Sequence, residues 1–317
     1  METEFEDNFK STTENGSESV FAIQFTAQDG ASGTENGNLG STLNHPAGGP
    51  YGSCCGFFQP TQDLANAFKT GADGLPLLDT YNDSDITNDN EILSTAAFSI
   101  YTDPLDPRID YTVGRRGVDF NGWGLNPGAD WIRDAGGAWS SGPYLSKKNT
   151  YKESDFSDAQ GSGPWGQQSS GLNYNVIRYA DVLLMAAEAA AETNDLATAL
   201  NYVNQVRQRA KDMTPVSDAI NYNVEPYTAF ADQAFAIAAV RHERRLELAM
   251  EGHRFFDLKR YGATDAIQIL SDFETNEQRT ISTYDPGAFA ERFLTFPIPS
   301  GAIDISGGVL TQNDAWN

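Results

Sequence analysis

Across residues 241–262 the chain reads RHERRLELAMEGHRFFDLKRYG, denser in both charge and apolar bulk than an ordinary surface helix. Leu246, Ala249 and Met250, then Phe255, Phe256 and Leu258 beyond Gly252, supply apolar side chains. Arg241, Arg244, Arg245, Arg254 and Arg260 share the stretch with Glu243, Glu247, Glu251 and Asp257. The three glutamates stand four apart, so a helix places them on one face with arginines on neighbouring faces. An all-exposed charged helix has no use for two adjacent phenylalanines. The stretch is therefore expected to be a packed helix whose acids and guanidiniums neutralise one another. Gly252 is expected to break it so that a second short helix can turn away. Interleaving of the two signs favours this scaffold role over an anion site.

Upstream, Ile177, Ala180, Leu183, Leu184, Ala187 and Ala191 recur at three and four, predicting a helix from Tyr174 to about Glu192. Asn194 and Asp195 supply a turn and cap. Leu196, Ala199, Leu200, Val203 and Val206 continue as a second helix to about Lys211, making an αα-hairpin. A third helix is expected from about Asp232 into the Glu/Arg stretch. Nearer the start, residues 17–26 alternate weakly (Val20, Phe21, Ile23, Phe25) as a short strand. Thr61 caps a short helix over residues 61–69. Residues 71–172 are dominated by Gly, Pro, Asp and Asn; so long an irregular tract is more often functional than not. The tail from Phe293 is punctuated by Pro and Gly.

Four of the five tryptophans (Trp123, Trp131, Trp139 and Trp165) fall in that irregular tract, with Tyr144 among them. Gly-rich settings such as Asn121-Gly122-Trp123-Gly124 and Gly136-Gly137-Ala138-Trp139 show no core-packing periodicity. A rigid aromatic face beside amides and carboxylates suits a carbohydrate. The ring covers the sugar's C–H face while polar groups bond its hydroxyls. Asn121, Asn126, Asp130, Arg133 and Asp134 supply such groups. The bland alternative is that the indoles pin loops to the helical body.

A length of 317 residues, 39% hydrophobic, fits a folded protein with an ample core. A formal net charge of −23 argues against nucleic acid as a partner and against docking on an anionic membrane. Cys54 and Cys55 are adjacent, and strict disulfide geometry makes buried free thiols the expected state. No run reaches the roughly 20 apolar residues of a membrane helix. The N-terminal residues lack a positive region and an apolar core, so they are no signal peptide. His242-Glu243 opens like a zinc-protease motif, but Leu246 stands where the second histidine belongs. Residues 79–91 (DTYNDSDITNDNE) have the composition of a calcium loop without its ligand spacing. No G-x-S-x-G elbow is present, and no carboxylate pair stands out. Neither cofactor, metal nor catalysis is expected.

Residues 244–262 (RRLELAMEGHRFFDLKRYG, preceded by Glu243) resemble the signature helix of the SusD/RagB family of outer-membrane nutrient-binding lipoproteins. So do residues 177–187 with 199–210 (IRYADVLLMAA, ALNYVNQVRQRA), 106–117 with 142–149 (DPRIDYTVGRRG, GPYLSKKN), and 296–313 (FPIPSGAIDISGGVLTQN). With residues 18–25 (ESVFAIQF) these cover nearly the whole chain in order. The resemblance implies a mainly α fold: tetratricopeptide (TPR)-like helical hairpins with long irregular loops and a few short strands. Family members carry an export signal, a lipidated cysteine and further N-terminal helical repeats. The chain is therefore expected to be the C-terminal part of one SusD/RagB-like domain. Residues 17–172 would be its loop-rich, ligand-facing part, 173–262 its TPR-like scaffold and 263–317 a segment wrapping the helices. The implied function is non-catalytic capture of oligosaccharide on the outer face of an outer membrane, and hand-off to a TonB-dependent β-barrel transporter. Expected ligand residues are Trp123, Trp139, Trp165, Trp131, Tyr144, Asn121 and Asp130, with Trp131 the one nearest common family framework. Peptide binding within the same family, a TPR-type adaptor, and a polysaccharide-degrading enzyme are the rival readings.

Overall fold

The computed structural model describes residues 1–31, 37–52, 55–133, 142–163, 166–282, 285 and 287–317. Two compact units divide the chain, Met1–Gly252 and His253–Asn317.

In the first unit, α1 (Gln62–Ala67), α2 (Ile109–Thr112) and α3 (Phe156–Ala159) are single turns set in loops. The helical body is α4 (Tyr179–Glu192), α5 (Leu196–Asp212) and α6 (Gln233–Glu247). Two of the three start at a short polar side chain that caps them. Asp195 accepts from Thr198 N at 3.2 Å and Asp232 from Phe235 N at 2.8 Å, each satisfying an otherwise orphaned amide; α4 begins instead on extended Arg178. Thr61 caps α1 in the same way, accepting from Leu64 N at 3.2 Å. Leu183, Leu184, Ala187, Ala199, Val203, Val206, Ala236, Ala239 and Val240 form one buried cluster among α4, α5 and α6. Small residues at these positions let the helix backbones approach closely.

Strand β1 (Ser19–Ile23) is where the alternation placed it. Its antiparallel partner is not a helix start but β6 (Tyr174–Arg178), with Ile23 opposite Tyr174 and Ser19 opposite Arg178. Of the apolar recurrence beginning at Ile177, only Ile177 itself therefore belongs to a strand; Ala180 and the rest lie in α4. β-Branched Val176 and Ile177 favour extension, and Arg178 serves as the extended residue preceding α4. Two further ribbons, β2 (Val113–Gly114) with β3 (Leu145–Ser146) and β4 (Gln160–Gly163) with β5 (Gly166–Ser170), brace the irregular tract. Tyr51, Phe120, Ile132, Leu145 and Tyr151 make a second apolar core beneath these loops, with Trp123 and Trp131 packed against it.

The glutamates of the opening stretch are buried as expected, but their partners come from elsewhere in the fold. Glu243 accepts from Arg207 at 2.9 Å and forms an ion pair with Arg108 at 2.8 Å; Glu247 accepts from Arg108 and Arg178 at 3.0 Å and from Arg209 at 2.5 Å. Glu251 binds Arg178 at 2.8 Å and Lys148 at 2.7 Å, and Arg178 also reaches Glu18 at 2.5 Å. The segment's own arginines turn outward from this cluster: Arg244 to Asp181 at 2.7 Å, Arg245 to Asp63. For the glutamates neutralisation is thus between distant elements, whereas farther along the stretch Asp257 and Arg260 pair with each other at 2.9 Å. Glu251 is not helical either: α6 ends at Glu247, and residues 248–253 turn through left-handed Met250 (φ 63°) and Gly252 (φ 85°). Guanidiniums nearby hold the Glu247 and Glu251 carboxyls below the usual range against the cost of burial.

The second unit contains α7 (Arg254–Arg260), α8 (Ala263–Glu277) and α9 (Ser300–Ile305). Leu258, Ala266 and Leu294 form its small core with Phe255, Ile267 and Leu270 beside them. The 15-residue α8 was not expected from the sequence.

Cys55 is disulfide-bonded, which overturns the expectation of a free thiol there; the chain's only other cysteine, Cys54, lies outside the described residues.

Candidate functional site

Residues 119–124 fold tightly because Asp119 accepts from two amides, Gly122 N at 2.8 Å and Gly124 N at 3.2 Å. Asn121 (φ 53°), Gly122 (φ 85°) and Gly124 (φ 95°) all take left-handed backbone, which asparagine and glycine tolerate best. The Asn121 carboxamide donates to Thr150 Oγ1 at 2.9 Å and Lys147 O at 3.2 Å, tying the loop to residues 147–150. This loop presents Trp123 half-buried. Its indole meets Tyr51 at a ring separation of 5.9 Å and Phe156 at 5.8 Å, both near-perpendicular. The Phe156 ring is itself exposed.

Trp123 and Phe156 line a cleft of about 410 Å³ with Pro50, Glu153, Ser154 and Ser157. A second cleft of about 380 Å³ shares Glu153 and Ser154 and runs on past Gly122, Asn121 and Asp119 to Tyr111, Lys147 and Lys152. Together they make one groove, aromatic at one end and hydroxyl-, amide- and charge-lined at the other. A flat apolar ligand face can lie on the rings while its hydroxyls reach the serines and Glu153. A separate, larger cleft of about 460 Å³ is bounded by Ile23, Phe25, Leu43, Phe57 and Phe58; its walls are more apolar and suit hydroxyls less.

The remaining expected ligand residues divide sharply. Trp131 is half-buried over Gly49, where an added Cβ would lie 2.6 Å from its ring, and it meets Phe120 at 6.0 Å. It pins the turn at residues 48–51. Tyr144 lies in the core, 1% exposed, its hydroxyl donating to Gln62 Oε1 at 2.9 Å, so it offers a ligand no face. Asn121 is 6% exposed, and its carboxamide is occupied by the loop. Asp130 is exposed, with its amide bonded to Ser94 Oγ at 3.0 Å, and lines neither cleft of the groove. Trp139 and Trp165 lie outside the described residues. Sequence reasoning missed Phe156, Ser154 and Ser157. The one available signal was an isolated phenylalanine in the polar run 152–161 (KESDFSDAQG).

Two of the three histidines face the protein interior. His242 Nε2 contacts Ala67 O at 3.0 Å, and His45 Nδ1 contacts Ser41 O at 2.8 Å. Burial lowers the His45 pKa to about 4. In the acidic loop, Asp85 accepts from Asn66 at 2.8 Å.

Among known proteins, the family model described as "SusD family" matches residues 17–316. SusD-like protein P25 of Formosa agariphila is 34% identical over 146 residues, 46% of this chain and 24% of that protein. SusD-like protein P2 of the same organism is 37% identical over 156 residues, 49% and 28% respectively. The matched part of the chain thus spans about a quarter of the length of these relatives. Among solved structures, a SusD superfamily protein from Bacteroides vulgatus superposes with a TM-score of 0.56 at 22% identity, covering 100% of this chain and 55% of that one. Surface glycan-binding protein A from Bacteroides thetaiotaomicron gives 0.54 at 18% identity, covering 99% and 55%. At such identities the likeness establishes a common fold.

Proposed function

Because this chain belongs to the SusD family, matched over residues 17–316, we propose that it captures oligosaccharide at a bacterial cell surface without catalysis. It then passes the ligand to a TonB-dependent β-barrel transporter in the outer membrane. The observation that carries this reading is the Trp123–Phe156 corner, two near-perpendicular rings over a cleft bordered by Ser154, Ser157 and Glu153. Such a corner buries a sugar's C–H face and leaves its hydroxyls within reach of polar groups, giving reversible, modest affinity with no bond made or broken. Trp139 and Trp165 remain proposed contributors.

The test is retardation in glycan-containing native gels and quenching of tryptophan fluorescence across a glycan panel. Retardation by at least one glycan, lost in Trp123→Ala, supports capture. Equal retardation of the variant moves the site elsewhere, and no binding to any glycan by a full-length protein removes the reading. Hand-off is tested separately by co-purification, a large β-barrel transporter being the expected dominant partner. A TPR-type adaptor draws less support. The small apolar residues that pattern would use, Ala187, Ala199, Val203 and Val206, are all buried in this unit's own core.

A further inference from the structure

Resting on the capture reading above, we infer that the groove selects an acidic sugar, one whose carboxylate or sulfate is received by the buried ammonium group of Lys147. Lys147 is 5% exposed and lines the polar half of the groove. Its Nζ donates to two backbone carbonyls, Asp110 O at 2.5 Å and Asp119 O at 2.8 Å. An ammonium has three donors, so one N–H has no hydrogen-bond partner among the described residues, with the Phe120 ring 5.9 Å from Nζ. Among the described residues no carboxylate forms an ion pair with it. The nearby acids are committed: Asp110 is gripped by Arg115 at 2.8 and 2.6 Å and by Tyr222 at 2.5 Å. Asp119 is held by the amides of Gly122 and Gly124.

Two further ammonium groups, Lys10 and Lys152, line the same cleft. They share a single carboxylate, Glu6, at 2.6 and 2.9 Å, with Asp7 taking a second bond from Lys10 at 3.0 Å. Three of the chain's seven lysines therefore converge on one cleft of a molecule carrying a formal net charge of −23. Burial, then the neighbouring Lys152 charge, lower the Lys147 pKa to about 8, while the carboxylates of Asp110, Asp119 and Glu6 pull the other way without offsetting them. Glu153, the remaining acid of this cleft, is exposed, and its charge is screened by water. An anionic substituent reaching Lys147 adds ion-pair attraction to the ammonium's hydrogen bond in a poorly solvated site, which a neutral hydroxyl does not.

The experiment compares three probes by isothermal titration at low salt: an oligogalacturonate, the same oligosaccharide after carboxyl reduction, and a sulfated galactan oligosaccharide. Either anionic probe is expected to bind about tenfold tighter than the reduced one, the size of one charge-assisted hydrogen bond. The advantage should vanish in 0.5 M salt and in Lys147→Met, with the less buried Lys152→Met as a variant that keeps the fold and loses part of it; that salt level shortens screening to roughly 4 Å. Whichever anionic probe is preferred identifies the substituent. Reduced and anionic probes binding equally would overturn the selectivity while leaving capture intact. If none of the three binds but a neutral glycan from the panel does, the selectivity likewise falls. If no glycan binds at all, capture itself fails.

Discussion

Trp123 and Phe156 divide the work of a binding corner unequally. Phe156 is the more exposed ring at the cleft mouth, so Phe156→Ala should lower glycan affinity about tenfold with a smaller loss of melting temperature than Trp123→Ala. Titration calorimetry with parallel thermal scans checks both halves of that statement. Trp123 also packs on Tyr51, so its removal should weaken binding and cost about 2 kcal/mol of stability besides. Buried titratable groups give a second residue-scale expectation. Unfolded, His45 takes a proton near pH 6.5; folded, burial keeps it neutral until about pH 4. The folded state then binds fewer protons in that window, and this contribution to stability is lost as pH falls through it, by at most about 3 kcal/mol. Asp89 acts with opposite sign: burial raises its carboxyl from 3.8 to about 6, a contribution present below 3.8 and lost as pH rises through 6. Urea unfolding of His45→Gln and Asp89→Asn at pH 7 and pH 4 separates the two. His45→Gln should gain on wild type toward pH 4, and Asp89→Asn should lose its advantage there.

At the scale of elements, α6 is held less by its own charges than by what reaches it. Glu247 is the meeting point of Arg108, Arg178 and Arg209, brought in from a loop, a strand and a second helix. Removing one charge from so buried a group leaves guanidiniums uncompensated. Glu247→Gln should therefore lower unfolding free energy by about 3–5 kcal/mol, read from the urea midpoint. Replacing Asp232 by Ala takes away only a cap and should cost about 1 kcal/mol. If both variants lost the same amount, the cluster would be contributing no more than a helix end. The turn after α6 needs a left-handed residue at Gly252. An alanine there would strain the backbone and crowd Tyr174 Oη at 3.2 Å.

For the whole molecule, the irregular tract is not loose surface but a second core set beside the helical one. Tyr51, Phe120, Leu145 and Tyr151 close over each other, and the loops that carry Trp123 and Trp131 stand on them. A binding surface built this way is pre-organised, which limits the entropy lost when a ligand docks. The carboxylates of the central cluster add a whole-molecule pH dependence. Glu251 and Asp106 are held below their ordinary values, so their contribution is present at neutral pH and is lost as pH falls below about 4.5. Cooperative acid unfolding beginning there, shifted upward in Arg178→Met, is the expected result by far-UV circular dichroism.

The helical hairpin, the caps at Thr61 and Asp195, the start of a third helix near Asp232, and the single strand near Phe21 were legible in the sequence alone, because periodicity and capping act within a few residues. The buried fate of Glu243, Glu247 and Glu251 was legible too, since they share one helical face in a stretch dense in apolar residues and arginines. Their partners were not. Arg108 meets Glu247 across 139 residues and Arg178 meets Glu18 across 160, and no local pattern encodes such a meeting. The same limit hid β6, whose extension depends on β1, and set Phe156 against Trp123 from a stretch that looked merely polar. It also gave Tyr144 to the core when its Gly-rich neighbourhood suggested a surface. Which aromatic is buried and which is offered to a ligand depends on what the folded chain stacks beneath it, and only the tertiary structure supplies that.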